Sequence, residues 1–147
     1  MKMARTSTYL NFMGNTEEAF NFYKEVFGTE FLSPIDRMGS APTMPGQPPL
    51  SEHDQNLVLH VALPITGGHV IMGTDMMESA GHTLQLGNNV SLNLEPDTRA
   101  ETERLFNALA QGGSVDMPLQ QMFWGDMFGS LKDRYDIHWM FNCTEKS

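Results

Sequence analysis

The chain has 147 residues, 40% of them apolar and 18% charged, which suits one domain large enough to bury a single core. Its formal charge of −9, from 18 acidic against 9 scattered basic residues, repels phosphate backbones and excludes a nucleic-acid partner. No apolar run reaches bilayer length, no signal-peptide stretch follows the first residues, and the one cysteine, Cys143, has no partner for an internal disulfide, so a reducing, cytoplasmic setting without a membrane partner is expected.

Thr8 to Met13 reads as a strand, with Tyr9 and Asn11 on one face and Leu10 and Phe12 on the other. A helix is predicted from Asn15 or Thr16, because Asn15 and Glu18 have capping-box spacing. Ala19, Phe20, Tyr23, Val26 and Phe27 form its apolar stripe, and Gly28 ends it. A short strand is expected over Glu30 to Ile35. The segment Met38 to Asn56 holds Pro42, Pro45, Pro48 and Pro49 and little periodicity, so it reads as a long loop, either a lid or an insertion without a role.

Leu57 to Ile65 alternates, placing Leu57, Leu59, Val61 and Leu63 on one face and His60 and Ala62 on the other. Thr66-Gly67-Gly68 is a hairpin-turn signal before a return strand, His69 to Thr74. Met76 to Leu86 reads as a linker. A strand from Asn89 to Leu94 follows, then a helix whose capping box is Thr98-Arg99-Ala100-Glu101, which carries Leu105, Phe106 and Leu109 and ends at Gly112-Gly113. Strands are expected at Ser114 to Met117, Met127 to Leu131 and Ile137 to Asn142, the last two joined by a turn over Lys132 to Asp136.

The second half repeats the first. Leu10-Asn11-Phe12 matches Leu92-Asn93-Leu94 at an offset of 82, and Thr16 matches Thr98 at the same offset. The order strand–helix–three strands in both halves predicts an α+β fold of two βαβββ modules, one spanning about 7–75 with the proline-rich loop at 38–56, the other about 89–143, together forming a single domain over 1–147.

Several stretches resemble a known family. Tyr9-Leu10-Asn11-Phe12, Glu17-Glu18-Ala19-Phe20 and Phe22-Tyr23-Lys24-Glu25-Val26-Phe27-Gly28 are similar to the opening of PhnB-like proteins, and the resemblance continues through His60 to Ile65, Gly68 to Gly73, Met117-Pro118-Leu119, Phe123-Trp124-Gly125 and Asp133 to Trp139. These proteins belong with glyoxalase I, extradiol dioxygenases, fosfomycin-resistance enzymes and bleomycin-binding proteins, the vicinal oxygen chelate superfamily. The resemblance implies curved mixed sheets around a cup-shaped site, and a homodimer. The name some members carry, for methylation of a ubiquinone precursor, has no glycine-rich strand-to-helix turn behind it in this sequence.

Metal-dependent relatives use His or Gln on the first strand of each unit and Glu on the last. The corresponding residues are Ser7 (or Thr8), Met72, Asn89 and Met140, a weak donor set for a hard divalent ion, so no metal or other cofactor is expected. If a divalent metal does bind, His60 and His138 are the candidates, since alternation puts both on the cup face; they could equally act as acid and base or hydrogen-bond a ligand. His53, His69 and His82 fall in loops or at a strand start and are expected to be solvated.

The predicted cup wall comprises Tyr9, Asn11, His60, Met72, Thr74, Asn89, Ser91, Asn93, Trp124, His138 and Met140, a polar lining suited to an oxygen-rich small molecule. Asn11 and Asn93 would need partners if buried. Phe123-Trp124-Gly125-Asp126 suggests either a lid over the cup or a plug in the core or dimer interface, whereas Trp139 alternates with Ile137 and Phe141 and is assigned to the core. Two functions are thus open: a metal-free small-molecule-binding homodimer, or a lyase or dioxygenase-type enzyme using an atypical ion site.

Overall fold

A computed structural model describes residues 3–42 and 44–146; Met1, Lys2, Thr43 of the proline-rich loop and Ser147 lie outside the described residues. The chain forms two compact units, Met1–Leu84 and Gln85–Ser147. Strands and helices follow in the order β1 (Thr8–Phe12), α1 (Thr16–Phe27), β2 (Asp36–Arg37), α2 (Glu52–Gln55), β3 (Val58–Pro64) and β4 (Val70–Asp75) in the first unit. The second contains β5 (Leu92–Leu94), α3 (Arg99–Ala110), β6 (Ser114–Gln121), β7 (Met127–Lys132) and β8 (His138–Cys143). The sheets run β1-β4-β3-β2 and β5-β8-β7-β6. In each, the first strand lies parallel to the last and the other neighbours are antiparallel. The internal repeat is therefore a repeat of topology, and the α+β class is as the sequence implies.

One face of each sheet is covered by its helix. In the first unit Leu10, Phe12, Val61, Leu63 and Ile71 meet Ala19, Phe20, Tyr23 and Val26 of α1 in a buried core. Gly73 sits where α1 comes closest: a Cβ there would collide with the Phe20 ring and lie 3.1 Å from Thr16 Cγ2. In the second unit Trp139, Phe141, Leu131 and Leu94 pack with Leu105, Phe106 and Leu109, and Gly129 occupies the comparable close approach, with Phe106 Cε2 2.9 Å from a built Cβ.

Two buried aspartates organise these units. Asp75, at the end of β4, accepts hydrogen bonds at Oδ1 from the Gly14 and Thr16 amides (3.0 and 3.1 Å) and the Thr16 hydroxyl (2.6 Å), and at Oδ2 from the Val58 amide (2.8 Å). It caps α1 from outside the helix. The expected Asn15 capping box does not form: the Asn15 backbone, at φ −120° and ψ 23°, is outside the extended region an N-cap usually adopts and its side chain makes no cap bond, while Asp75 takes the Thr16 amide. Thr98 does cap α3, accepting from the Glu101 amide at 3.1 Å. Asp133 holds the β7–β8 turn: Oδ1 accepts from the Tyr135 and Ile137 amides and Oδ2 from the Trp139 indole at 2.8 Å.

Four element boundaries depart from expectation, one of them the start of β5, which forms only over Leu92–Leu94. No strand forms over Glu30–Ile35; Ser33-Pro34 interrupts the segment, which touches β3 through a Leu32 amide bond to the Ala62 carbonyl, and pairing begins only at Asp36. The proline-rich loop ends in structure, with α2 and a 3-10 turn at Met38–Ser40. β6 continues past Pro118 to Gln121, which the sheet permits because β6 is an edge strand carrying two bulges.

Candidate functional site

The face of the first sheet turned away from α1 is polar and open. Residues directly paired across strands share a face. Tyr9 pairs with Met72 and Met72 with Ala62, so these three form a row across β1, β4 and β3, with Asn11 and Thr74 paired in the next. His60, two residues before Ala62, falls on the same face, and its ring centroid is 6.1 Å from that of Tyr9 with the planes inclined at 49°. Tyr9 is 48% exposed. His60, Met72 and Thr74 are half-buried and Asn11 is exposed, so the Asn11 amide reaches water and needs no protein partner. Thr74 donates its hydroxyl to the Val58 carbonyl at 3.3 Å.

A carboxylate missed from the sequence completes this patch. Asp36 of β2 pairs directly with His60 of β3. The misplaced strand over Glu30–Ile35 hid it; the signal available was Pro34, which makes a strand start after it more natural than a strand through it. Phenol, imidazole and carboxylate on one open face can donate and accept hydrogen bonds and offer two rings for stacking. Next to Asp36, Arg37 points the other way and clamps α1: its guanidinium donates to both Glu17 oxygens at 3.0 and 2.9 Å and to the Asn56 carbonyl. That paired hydrogen bond holds the Glu17 carboxyl below its ordinary pKa.

The positions that hold a metal in the metal-dependent relatives do not fit a hard ion. The Ser7 hydroxyl donates to the Met72 thioether at 3.8 Å, joining two of them in a contact of their own. Thr8, the alternative, faces the helix side and its hydroxyl lies 2.9 Å from His69 Nε2, so His69 is held at the strand edge rather than simply solvated. Asn89 is exposed and outside the sheet, and Met140 offers only a second thioether. Among the described residues, no group of three or more His, Cys, Asp or Glu side chains could hold a metal ion.

In the second unit Asn93, Met140 and Ser130 are paired across β5, β8 and β7 on the face away from α3, with Asn93 exposed and Met140 half-buried. His138 pairs with Lys132 and borders a cleft of about 450 Å³ shared with Asp136 and Gly87-Asn88. Lys132 reaches Asp136 at 3.6 Å. Asn89 and Ser91 correct the sequence reading: both precede β5 and are exposed, because Gly87-Asn88-Asn89 turns the chain and only Leu92–Leu94 pair with β8. Trp124 sits with Phe123 at the tip of the β6–β7 hairpin, their rings edge-to-face at 4.8 Å. At 49% and 97% exposure neither plugs a core. The tip is braced from below, Arg99 donating to the Gly125 carbonyl and Asn142 to Asp126.

Among the described residues, no helix is long and apolar enough to cross a membrane. Residues 4–141 match a family model described as 3-demethylubiquinone-9 3-methyltransferase. Protein YjdN of Escherichia coli (strain K12) is 28% identical over 145 residues, 95% of each chain. Protein PA1353 of Pseudomonas aeruginosa has a structure similar to this one, with a TM-score of 0.82 at 33% identity over 99% of this chain and 100% of its own. A PhnB protein from Bacillus cereus gives 0.74 at 29% identity over 95% and 99%. A glyoxylase/bleomycin resistance protein/dioxygenase domain from Frankia sp. EAN1pec shares the fold at 14% identity, with a TM-score of 0.65 over 100% and 96%.

Proposed function

The chain belongs to the family described as 3-demethylubiquinone-9 3-methyltransferase, PhnB-like members of the glyoxalase/bleomycin resistance/dioxygenase superfamily, and from that premise we propose that it is a metal-free protein that binds a small molecule on its open sheet faces and works as a homodimer. The observation that carries this reading is the Tyr9–His60 pair, two half-open rings 6.1 Å apart with Asp36 paired to His60 and Met72 paired to Tyr9. Such a surface suits a planar, oxygen-bearing ligand: the rings stack and the imidazole and phenol hydrogen-bond. In the second unit Asn93, His138, Met140 and the Trp124 tip offer a similar mixture of amide, imidazole, thioether and indole. The weak donor set at the superfamily's ligand positions argues for binding without an ion. Exposed Phe123, Trp124, Leu86 and Val90 supply apolar surface for a second copy, and a buried, unpaired Cys143 suits a reducing cytoplasm.

The test is elemental analysis of protein purified without a metal-binding tag, alongside a thermal-shift screen of planar oxygen-rich compounds and a light-scattering mass. Expected are negligible bound metal, a stabilising ligand whose effect is lost in Tyr9→Ala and His60→Ala, and twice the chain mass. About one ion per chain, lost in His60→Ala or His138→Ala, would overturn this reading in favour of metal-assisted chemistry on an oxygen substrate.

A further inference from the structure

The proline-rich segment has a place in the first unit other than over the sheet face. Its last residues and α2 stand beside the 3-10 turn Glu78–Ala80, and between them run two adjoining cavities of about 540 and 470 Å³ that share Ser51, Asp54 and Ser79 in their walls. We propose that this cleft is a binding site for a small organic cation, an ammonium group carried on an apolar body, separate from the Tyr9–His60 face and independent of the reading of that face.

The apolar body is matched by the lining. Met13, Leu57 and Met76 line the larger cavity, and Pro48, Pro49 and Leu50 the smaller. The volumes fall in the range of small-molecule sites. The sign of the charge follows from the carboxylates: Asp54 and Glu78 line the cleft, and neither Lys nor Arg does.

Asp54 is also held in place. Its Oδ2 accepts from the Ser79 hydroxyl at 2.6 Å, Oδ1 lies 3.2 Å from His53 Nδ1, and its amide donates to the Ser51 hydroxyl. The Ser79 bond first, then the His53 bond, keeps its carboxyl below the ordinary pKa and therefore ionised. Its side chain is only 13% exposed, whereas that of His53 is 80% exposed and gives up little solvation if the ring turns away. A carboxylate oxygen with one hydrogen bond has a lone pair left for a second donor. In a chain of charge −9, an ionised carboxylate in a cleft of mixed apolar and polar lining attracts cations and repels anions. The absence, among the described residues, of three clustered metal-ligating side chains makes an organic ammonium a better match than a bare metal ion.

The experiment titrates the full chain with phenethylamine and benzyltrimethylammonium, using phenylacetate and 2-phenylethanol as anionic and neutral counterparts, and follows amide shifts by NMR. Expected are saturable shifts at Met13, Leu57 and Met76 with the cations and none with phenylacetate. Affinity should fall about tenfold in Asp54→Asn, the loss of one desolvated charge partner, and severalfold in Glu78→Gln, while Tyr9→Ala leaves it unchanged. Glu78 is exposed, so its variant decides the matter even if Asp54→Asn fails to fold. Equal binding of all four compounds, no saturable shift with either cation, undiminished cation affinity in Glu78→Gln, or loss of binding in Tyr9→Ala would overturn the proposal; only the last would place the amine on the sheet face instead.

Discussion

Removing the Asp75 carboxylate should destabilise the first unit more than any single surface change. In Asp75→Ala four donors lose their acceptor: the amides of Gly14, Thr16 and Val58 and the hydroxyl of Thr16. Gly14 is exposed and its amide can turn to water. The Thr16 and Val58 bonds are buried, and each orphaned buried amide costs about 1–3 kcal/mol. The Thr16 hydroxyl can rotate toward another acceptor, which limits its share. The expected loss is therefore about 4 kcal/mol, a large fraction of the roughly 5–15 kcal/mol that holds a domain together. With a urea m-value of about 2 kcal/mol/M, the midpoint should fall by about 2 M. Asp75→Asn keeps the shape and one acceptor oxygen but turns an NH₂ toward a donor, and should lose roughly half as much. Thr16→Ala removes the shortest of the four bonds and should cost about 1 kcal/mol. The assay is urea unfolding followed by circular dichroism and intrinsic fluorescence. If Asp75→Ala costs less than about 1 kcal/mol, the carboxylate does not tie α1 to β3 and β4 and the reasoning fails.

Gly73→Ala should lower stability by about 1–3 kcal/mol, since the new methyl overlaps the Phe20 ring and α1 must lift off the sheet; thermal unfolding measures it, and a neutral result would show that the contact is slack. Trp139→Phe leaves Asp133 Oδ2 without its indole donor and a void in the second core, a loss of about 2–4 kcal/mol by the same assay. The Glu17–Arg37 pair predicts a pH effect. Glu17 has a folded pKa below its ordinary 4.5, so its contribution is fully present above that value and disappears as pH falls through the lowered one. Glu17→Gln should flatten the acid limb of the melting-temperature profile and leave its slope near neutrality unchanged; identical acid limbs would show the pair to be worth nothing.

Much of the fold was legible because its signals are local. The stripe Ala19, Phe20, Tyr23, Val26 defines α1 and Gly28, at φ 65°, stops it. The offset of 82 between Leu10-Asn11-Phe12 and Leu92-Asn93-Leu94 anticipates two sheets of the same strand order. What was not legible depends on partners distant in sequence. Asn15 has the right spacing for a cap yet makes no cap bond, and the first turn of α1 is served instead by Asp75, 59 residues past Thr16, which accepts from the Thr16 amide and hydroxyl. Leu59 fits the alternation of its strand yet is 38% exposed, and Val58 is buried beside it, because β2 is two residues long and shifts register there. The candidate site divides in the same way. Alternation put Tyr9 and Asn11 on one face of β1, and both lie on the face away from α1, since a strand's period of two is set by its own backbone. It could not see that pairing with β8 stops at Leu92, which leaves Asn89 and Ser91 outside the sheet, nor that Asp36 lies across from His60.

The two sheets differ most at their last strand: β2 is two residues long, and β6 is eight. A strand of that length at the rim of a sheet displays a row of main-chain donors and acceptors, the template on which chains stack into fibrils. β6 is built to fail as one. Its register shifts between Val115 and Met117 and again between Met117 and Gln120, so no straight run of alternate amides faces outward. Asp116 places a charge among them and Pro118 lacks the N–H altogether. Replacing Asp116 and Pro118 with valine and deleting both bulge residues would give that rim a regular, uncharged run of main-chain groups, and the edge would then pair with other chains.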